Sequence, residues 1–137
     1  MFESVDAEAA ARAWADAWRR AWRELDADRL EQIYAPDAVF RSHPFREPQH
    51  PLEYARWALS EEEGRPEVWM GEPIVSGDRA AIEWWAAVIE NGKPITLAGT
   101  SIVRFGDDGR VAEQHDYWGQ AEGRVAPWEG WGVRRGR

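Results

Sequence analysis

Residues 79–118 read RAAIEWWAAVIENGKPITLAGTSIVRFGDDGRVAEQHDYW, and this stretch decides the fold. Runs rich in Val, Ile, Thr and Trp alternate in it with Asn-Gly and Asp-Gly pairs, a combination that signals β-hairpins. With one more such run ahead of it, the predicted strands are 67–75, 79–90, 94–105 and 110–118, and the turns between them are 76–78, 91–93 and 106–109. The sequence therefore predicts four antiparallel strands in meander order.

Helical sequence precedes these strands. Residues 4–26 are Ala-rich, and large apolar side chains recur at spacings of four and three: Trp14, Trp18, Trp22 and Leu25. This spacing gives one apolar face of a long helix. Ser4 or Asp6 is placed to cap its start.

Two shorter helices are expected next. Asp28 is placed to cap the first, which carries Leu30, Ile33 and Tyr34 and is closed by Pro36. After a short extended segment at 38–45, the other starts near Pro51. Its apolar positions are Leu52, Ala55, Trp57 and Leu59. Helices followed by a meander define an α+β fold.

Composition excludes several classes of function. The chain has 137 residues, which suits one domain, and no cysteine, which excludes disulfide, thiol and thiolate chemistry. A net charge of −8 argues against a nucleic-acid partner, and the basic Arg134, Arg135 and Arg137 are interpreted as a solvated end. No apolar run resembles a signal peptide or a membrane span, so we expect a cytoplasmic protein without a membrane partner.

Ten tryptophans are unusual in so short a chain. They indicate either a bulky core or an aromatic-lined cavity, and composition alone favours the core. The three scattered histidines lack metal-ligand spacing, and no phosphate-binding or dinucleotide-binding glycine pattern occurs. No metal and no cofactor are therefore expected.

Four motifs resemble the nuclear transport factor 2-like superfamily, in its SnoaL-like and ketosteroid-isomerase-like group. They are LEQIYAPDAVF at 30–40, SHPF at 42–45, IVRFGDDGRV at 102–111 and HDYW at 115–118. The resemblance implies a cone-shaped curved antiparallel sheet wrapped around the long helix and two shorter helices, with an internal pocket. It covers residues 1–120 as one SnoaL-like domain, leaves 121–137 as an irregular tail, and implies a homodimer.

The resemblance also implies which strand residues point inward. They are Ile82, Trp84, Ala86, Val88, Leu97, Gly99, Ser101, Val103, Gln114, Asp116 and Trp118. The same pattern leaves Glu83, Trp85, Ala87 and Ile89 on the outer face. Trp85 there is a large exposed aromatic that suits a dimer interface.

The candidate catalytic residues are Asp116, His43 and Tyr34. Relatives carry a catalytic Asp at the position of Asp116, and burial among aromatic rings raises a carboxyl pKa into the useful range. His43 stands near the position of a base and would be a second proton carrier, while Tyr34 would orient or polarise an oxygen. The alternatives are a paired or solvent-facing Asp, a histidine in a loop hydrogen bond and a tyrosine satisfied in the core.

The expected pocket wall consists of Trp18, Trp57, Trp84, Ser101 and Trp118, which suits a small apolar or aromatic molecule. The chain departs from its relatives: the Tyr and protonated Asp of the ketosteroid isomerase oxyanion hole are replaced by Trp18 and Ser101. The strand around 82–86 lacks the Arg and second Asp of epoxide hydrolases. Two hypotheses remain: an acid/base isomerase, cyclase or dehydratase, or a non-catalytic ligand-binding or dimerisation module.

Overall fold

The computed structural model describes residues 6–133. Ser4 and the basic end at Arg134, Arg135 and Arg137 lie outside the described residues. The helical elements are α1 (Ala7–Glu24), a 3-10 turn (Ala27–Leu30) and α2 (Pro51–Ser60). The strands are β1 (Tyr34–Arg41), β2 (Glu67–Met70), β3 (Ile74–Ser76), β4 (Arg79–Glu90), β5 (Lys93–Phe105) and β6 (Val111–Glu122).

The long predicted helix is α1. The side chain of Asp6 accepts a hydrogen bond from the backbone N–H of Ala9 over 3.0 Å, so Asp6 caps its start. The helix ends where Leu25 takes a left-handed conformation with φ 56°. Its buried face includes Trp14 and Trp18, which places the tryptophan stripe against the sheet as its spacing predicts.

The predicted meander is formed by β4, β5 and β6, and β2 and β3 both pair antiparallel with β4. The turn between β4 and β5 has positive φ at both Asn91 (52°) and Gly92 (74°), as a type I′ hairpin turn requires. The sheet order is β1-β6-β5-β4-β2, with β3 also on β4. The result is an α+β fold with a curved open sheet of six strands.

The predicted second helix is wrong. Only the 3-10 turn forms, capped by Asp26 rather than Asp28, and Tyr34 begins β1 instead of belonging to a helix. Pro36 lies inside β1, which tolerates the missing N–H because β1 is an edge strand. β1 also runs parallel to β6, so the sheet is not wholly antiparallel as expected.

The predicted strand 67–75 is divided into β2 and β3. Pro73 lies in the break, where its missing N–H and fixed φ interrupt the ladder. The N–H of Gly71 still bonds to the carbonyl of Glu83, over 2.8 Å. At the other end of the sheet, β6 continues to Glu122, four residues past the predicted end at 118.

The concave face of the sheet and α1 enclose the core. Along β4 every second residue from Ala80 to Val88 is buried, which agrees with the predicted inward parity. Ile82 and Val103 are fully buried, and Trp14 of α1 packs in the same cluster. Because α1 crosses this face, its indole rings meet the inward side chains of the strands.

The outer face differs from the expectation. Trp85 is contacted by two tail residues, with ring centroids 5.9 Å from Trp128 and 6.3 Å from Trp131. The carbonyl of Gly132 accepts a hydrogen bond of 2.7 Å from the N–H of Glu72, which holds the tail in place. Trp85 is therefore covered by this chain's own tail and does not stand free as an interface aromatic.

Candidate functional site

A cavity of about 430 Å³ lies between α1, α2 and the concave face of the sheet. Its walls include six indole rings: Trp14, Trp18, Trp22, Trp57, Trp84 and Trp118. Polar and charged side chains interrupt this apolar wall at a few places, among them Asp116, Gln114 and Ser101 on neighbouring strands. Such a mixture is typical of small-molecule sites.

The sheet register positions Asp116. Ser101 of β5 lies directly across from Asp116 of β6, and Gln114 precedes Asp116 by two residues on the same face of β6. Asp116 Oδ1 accepts a hydrogen bond of 2.6 Å from the Ser101 hydroxyl and one of 3.0 Å from Gln114 Nε2. Within residues 6–133, no group donates to Oδ2.

Indole N–H groups determine the direction of these hydrogen bonds, because an indole N–H can donate but cannot accept. Trp84 Nε1 donates to Ser101 Oγ over 3.0 Å, which leaves the Ser101 proton for Asp116. Trp14 Nε1 donates to Gln114 Oε1 over 2.9 Å, so the amide nitrogen of Gln114 faces Asp116.

Tyr34 joins the same network through the side-chain oxygen of Gln114. Trp18 Nε1 donates to the Tyr34 hydroxyl over 2.6 Å, and the Tyr34 proton is donated to Gln114 Oε1 over 2.6 Å. Gln114 thus accepts from Tyr34 and Trp14 on its oxygen and donates to Asp116 from its nitrogen. Every hydrogen bond in the network is oriented toward Oδ1 of Asp116.

Burial raises the pKa of Asp116 to about 7, because a charged carboxylate loses hydration in this cavity. The hydrogen bonds from Ser101 and Gln114 act in the opposite direction and favour the ionised form. Since both of these donors occupy Oδ1, a proton bound by Asp116 lies on Oδ2. The carboxyl group can therefore exchange a proton at Oδ2 near neutral pH.

Burial also raises the pKa of Tyr34 and Tyr54 above their usual range, and the charge of Asp116 adds to both shifts. Both phenols therefore stay protonated at neutral pH. Tyr34 is buried and reaches Asp116 only through Gln114, whereas Tyr54 of α2 lines the cavity itself.

The five side chains predicted as pocket wall all line this cavity: Trp18, Trp57, Trp84, Ser101 and Trp118. Asp116 lines it too, while Tyr34 and His43 are not among its lining residues. The His43 ring contacts Trp118 edge-on, 5.2 Å between centroids. His43 Nδ1 accepts a long hydrogen bond of 3.4 Å from the N–H of Phe45 within its loop.

His50 and His115 have structural contacts. His50 caps α2, with Nδ1 accepting from the N–H of Leu52 over 3.1 Å and Nε2 lying 3.1 Å from the carbonyl of Pro36. His115 Nε2 lies 3.0 Å from a carboxylate oxygen of Glu113. Within residues 6–133, no three His, Asp or Glu side chains converge on a possible metal position. No described helix is long and apolar enough to cross a membrane.

Sequence reasoning missed several cavity residues, among them Tyr54, Arg46 and Glu62. Tyr54 follows the helical spacing of α2 together with Trp57, and that spacing could have revealed it. Arg46 lies in an irregular proline-rich loop, where no periodicity indicates direction; its guanidinium lies 5.4 Å from the Trp118 ring centroid. Glu62 follows α2 in a charged run that resembles ordinary solvated sequence.

Comparison with known proteins agrees with this architecture. Residues 11–114 match the family described as the SnoaL-like domain. A search of curated proteins finds no significant match.

Two solved structures share the fold at low sequence identity. SalBIII, an epoxide hydrolase/cyclase-like enzyme with a role in pyran ring formation in the polyether salinomycin, has a TM-score of 0.71 and 13% identity, covering 85% of this chain and 98% of SalBIII. An LEH-like epoxide hydrolase of M. tuberculosis has a TM-score of 0.61 and 17% identity, covering 85% of this chain and 84% of that one. With the family match spanning most of its length, the chain belongs to the SnoaL-like family of the nuclear transport factor 2-like superfamily.

Proposed function

We propose that this protein is a cofactor-independent enzyme that moves protons on a small apolar or aromatic molecule, with Asp116 as its base and acid. The reaction would be an isomerisation, a cyclisation or a dehydration. One observation carries the proposal: Asp116 lines an indole-lined cavity, its Oδ1 accepts two hydrogen bonds, and no residue in the range 6–133 donates to its Oδ2.

In this proposal Oδ2 of Asp116 is the reacting atom. Removal of a substrate proton by Oδ2 converts the carboxylate to a neutral acid, which the desolvated site favours. The same proton is then returned to another substrate atom. Ser101 and Gln114 keep the carboxyl group from rotating, because Oδ1 stays between two donors throughout the cycle.

Tyr34 supports this chemistry as a positioning residue. It orients Gln114, and Gln114 orients Asp116. Direct polarisation of a substrate oxygen, as the sequence suggested for Tyr34, falls more naturally to Tyr54, whose phenol lines the cavity. The role of His43 as second proton carrier stays a prediction, since its described contact with the cavity wall is through Trp118.

A test needs no knowledge of the natural substrate. 5-Nitrobenzisoxazole is a flat aromatic probe whose ring opens when a base removes its C3 proton: the N–O bond breaks, the C=N bond becomes a nitrile, and the whole molecule becomes the coloured 2-cyano-4-nitrophenolate. We expect saturable turnover that rises with pH around an apparent pKa of about 7. Asp116→Asn should lower kcat/KM by about 10²–10⁴.

The matched control is Glu113→Gln, an acid on the same strand that pairs with Arg104 outside the cavity. It should leave turnover unchanged, and circular dichroism should show both variants folded. If Asp116→Asn turns over the probe as fast as the original protein, Asp116 is not the base. The chain would then be better described by the alternative, a non-catalytic ligand-binding or dimerisation module with the same cavity.

A cytoplasmic homodimer stays a prediction. Trp85 does not support the dimer as a free interface aromatic, because Trp128 and Trp131 contact its ring. Sedimentation at micromolar concentration distinguishes a dimer from a monomer of 15.7 kDa.

A further inference from the structure

The mouth of the cavity carries an excess of negative charge. Its acidic side chains come from the segment that follows α2 and from the last residue of β4: Glu61, Glu62, Glu63 and Glu90. None of the four forms a salt bridge with any residue in the range 6–133. Elsewhere arginines neutralise many acidic residues, including Asp16, Glu24, Glu31, Glu67 and Glu113. The described residues therefore leave the negative charge at the cavity mouth without salt-bridge partners.

Glu62 is the member of this group that is built into the aromatic wall. Its Oε2 accepts a hydrogen bond of 3.0 Å from Trp22 Nε1. The Trp22 ring packs edge-on against the Trp84 ring, with 5.6 Å between the ring centroids. Burial is the main cause of a raised pKa at Glu62, and the neighbouring Glu90 and Glu63 add to it. A partly buried carboxylate without a counter-ion destabilises the empty site.

Glu63 holds the mouth in shape. Its two carboxylate oxygens accept hydrogen bonds from the backbone N–H groups of Asn91 (2.6 Å) and Gly92 (3.1 Å). These bonds join the end of α2 to the β4–β5 turn. They use the oxygens of Glu63 and leave Glu62 to face the cavity.

Arg46 is the one cation among the described lining residues, and it forms no salt bridge with the four acidic residues of the mouth. It donates to Ser42 Oγ over 3.0 Å and lies over the Trp118 ring. Arg46 therefore does not compensate Glu62, and the described cavity offers no other cation that would attract an anionic ligand.

We infer that the cavity takes a substrate with a positively charged nitrogen, a protonated or quaternary amine, on an apolar body. This inference rests on the proposed function, because it names the class of substrate for the same site. Glu62 would face the cation, and the faces of Trp22 and Trp57 would surround it. A cation over indole rings and beside a partly desolvated carboxylate is stabilised by both. The apolar body then extends inward toward Asp116.

Three probes of equal length test the charge preference: 4-phenylbutylamine, 4-phenylbutan-1-ol and 4-phenylbutyrate. Their dissociation constants are measured by indole fluorescence and calorimetry at neutral pH. The amine should bind about tenfold more tightly than the alcohol, and the carboxylate more weakly than either. Equal binding of amine and alcohol, or tightest binding of the carboxylate, would overturn the inference.

Glu62→Gln isolates the responsible charge. Glutamine keeps an oxygen that can accept from Trp22, so the wall should survive. The advantage of the amine over the alcohol should fall by about threefold to tenfold, while the affinity for the alcohol stays constant. Glu113→Gln is the control and should leave both affinities unchanged. An unchanged advantage in Glu62→Gln would also overturn the inference.

The same measurements in Asp116→Asn separate the two proposals. The charge preference should persist there, because it arises at the mouth rather than at Asp116. Loss of the preference in Asp116→Asn would assign the cation to Asp116 and overturn the role of Glu62. If Asp116→Asn loses turnover of 5-nitrobenzisoxazole but keeps the preference for the amine, both proposals are supported. If the variant keeps both the turnover and the preference, only the proposed function is contradicted.

Discussion

Ser101 Oγ lies 2.6 Å from Asp116 Oδ1 across the β5–β6 ladder. Because Trp84 donates to the same hydroxyl, the Ser101 proton is directed at the carboxylate. The family resemblance predicted that Ser101 replaces the carboxylic acid of the ketosteroid isomerase oxyanion hole. Ser101 stabilises the charge of the candidate base instead of donating to a substrate.

Ser101→Ala should raise the pKa of Asp116 further, by about one unit, since a hydrogen bond that favours the ionised form is lost. It also leaves the Trp84 N–H without its acceptor, which should cost about 1–3 kcal/mol of unfolding free energy. Carbon-detected NMR of the Asp116 carboxyl group measures the pKa. Thr100→Ala, on the opposite face of β5, is the control. An unchanged or lower pKa in Ser101→Ala would contradict the network.

The stability of the protein should depend on pH through Asp116. Its pKa is about 7 in the folded state and near 3.8 when unfolded, so the folded state binds the proton more tightly. The resulting stabilisation is complete below pH 3.8 and is lost as the pH rises to about 7. At ~1.4 kcal/mol per pH unit, the loss reaches at most about 4 kcal/mol.

Asp116→Asn should remove this slope, so the variant becomes more stable than the original protein at pH 7.5. Arginine partners lower the pKa values of Asp16 and Glu67, so the stability that these two carboxylates contribute is lost as the pH falls. This contribution is the same in both proteins. Urea unfolding between pH 4 and pH 8 measures the difference. Parallel stability curves for the two proteins would show that Asp116 does not titrate in this range.

Tyr34→Phe should destabilise the fold by about 1–3 kcal/mol, because the Trp18 N–H loses a buried acceptor. Gln114 keeps its bond from Trp14, so the amide should stay oriented. Tyr117→Phe is the matched control: Tyr117 is 48% exposed, and its change should stay within about 0.5 kcal/mol. Urea denaturation of both variants tests the prediction, which fails if their stabilities agree.

Gly99 should not tolerate a side chain. A Cβ there would lie 2.2 Å from the carbonyl oxygen of Tyr117 and 2.5 Å from Cβ of Trp118. Gly99→Ala should therefore force the β5–β6 ladder apart, cost about 2–4 kcal/mol and alter the fluorescence of Trp118. Gly119→Ala offers a close comparison, since a Cβ there meets nothing within 4 Å. Equal stability of the two variants would refute the steric argument.

Local sequence determined the strand order from β4 to β6, whereas the inward direction of Asp116 on β6 was implied mainly by the family resemblance. Asn91 and Gly92 accept positive φ at low cost, so the pair favours a hairpin turn through local preference alone. The alternation along β4 and the stripe of Trp14 and Trp18 each reflect a period inside one element. The curvature of the sheet, by contrast, was anticipated only through the family resemblance.

Tertiary structure decided what the local signals could not. From local sequence, Pro36 predicts the end of a helix. In the structure it lies in β1, which tolerates a proline because β1 is an edge strand whose one neighbour in the sheet order is β6. Trp14 and Gln114 are 100 residues apart, and their hydrogen bond sets which end of the amide faces Asp116. Glu62 has no salt-bridge partner within residues 6–133, and this too depends on where the fold places the arginines. Periodicity and turn chemistry act over a few residues, whereas hydrogen-bond direction and charge compensation depend on partners that only the folded chain brings together.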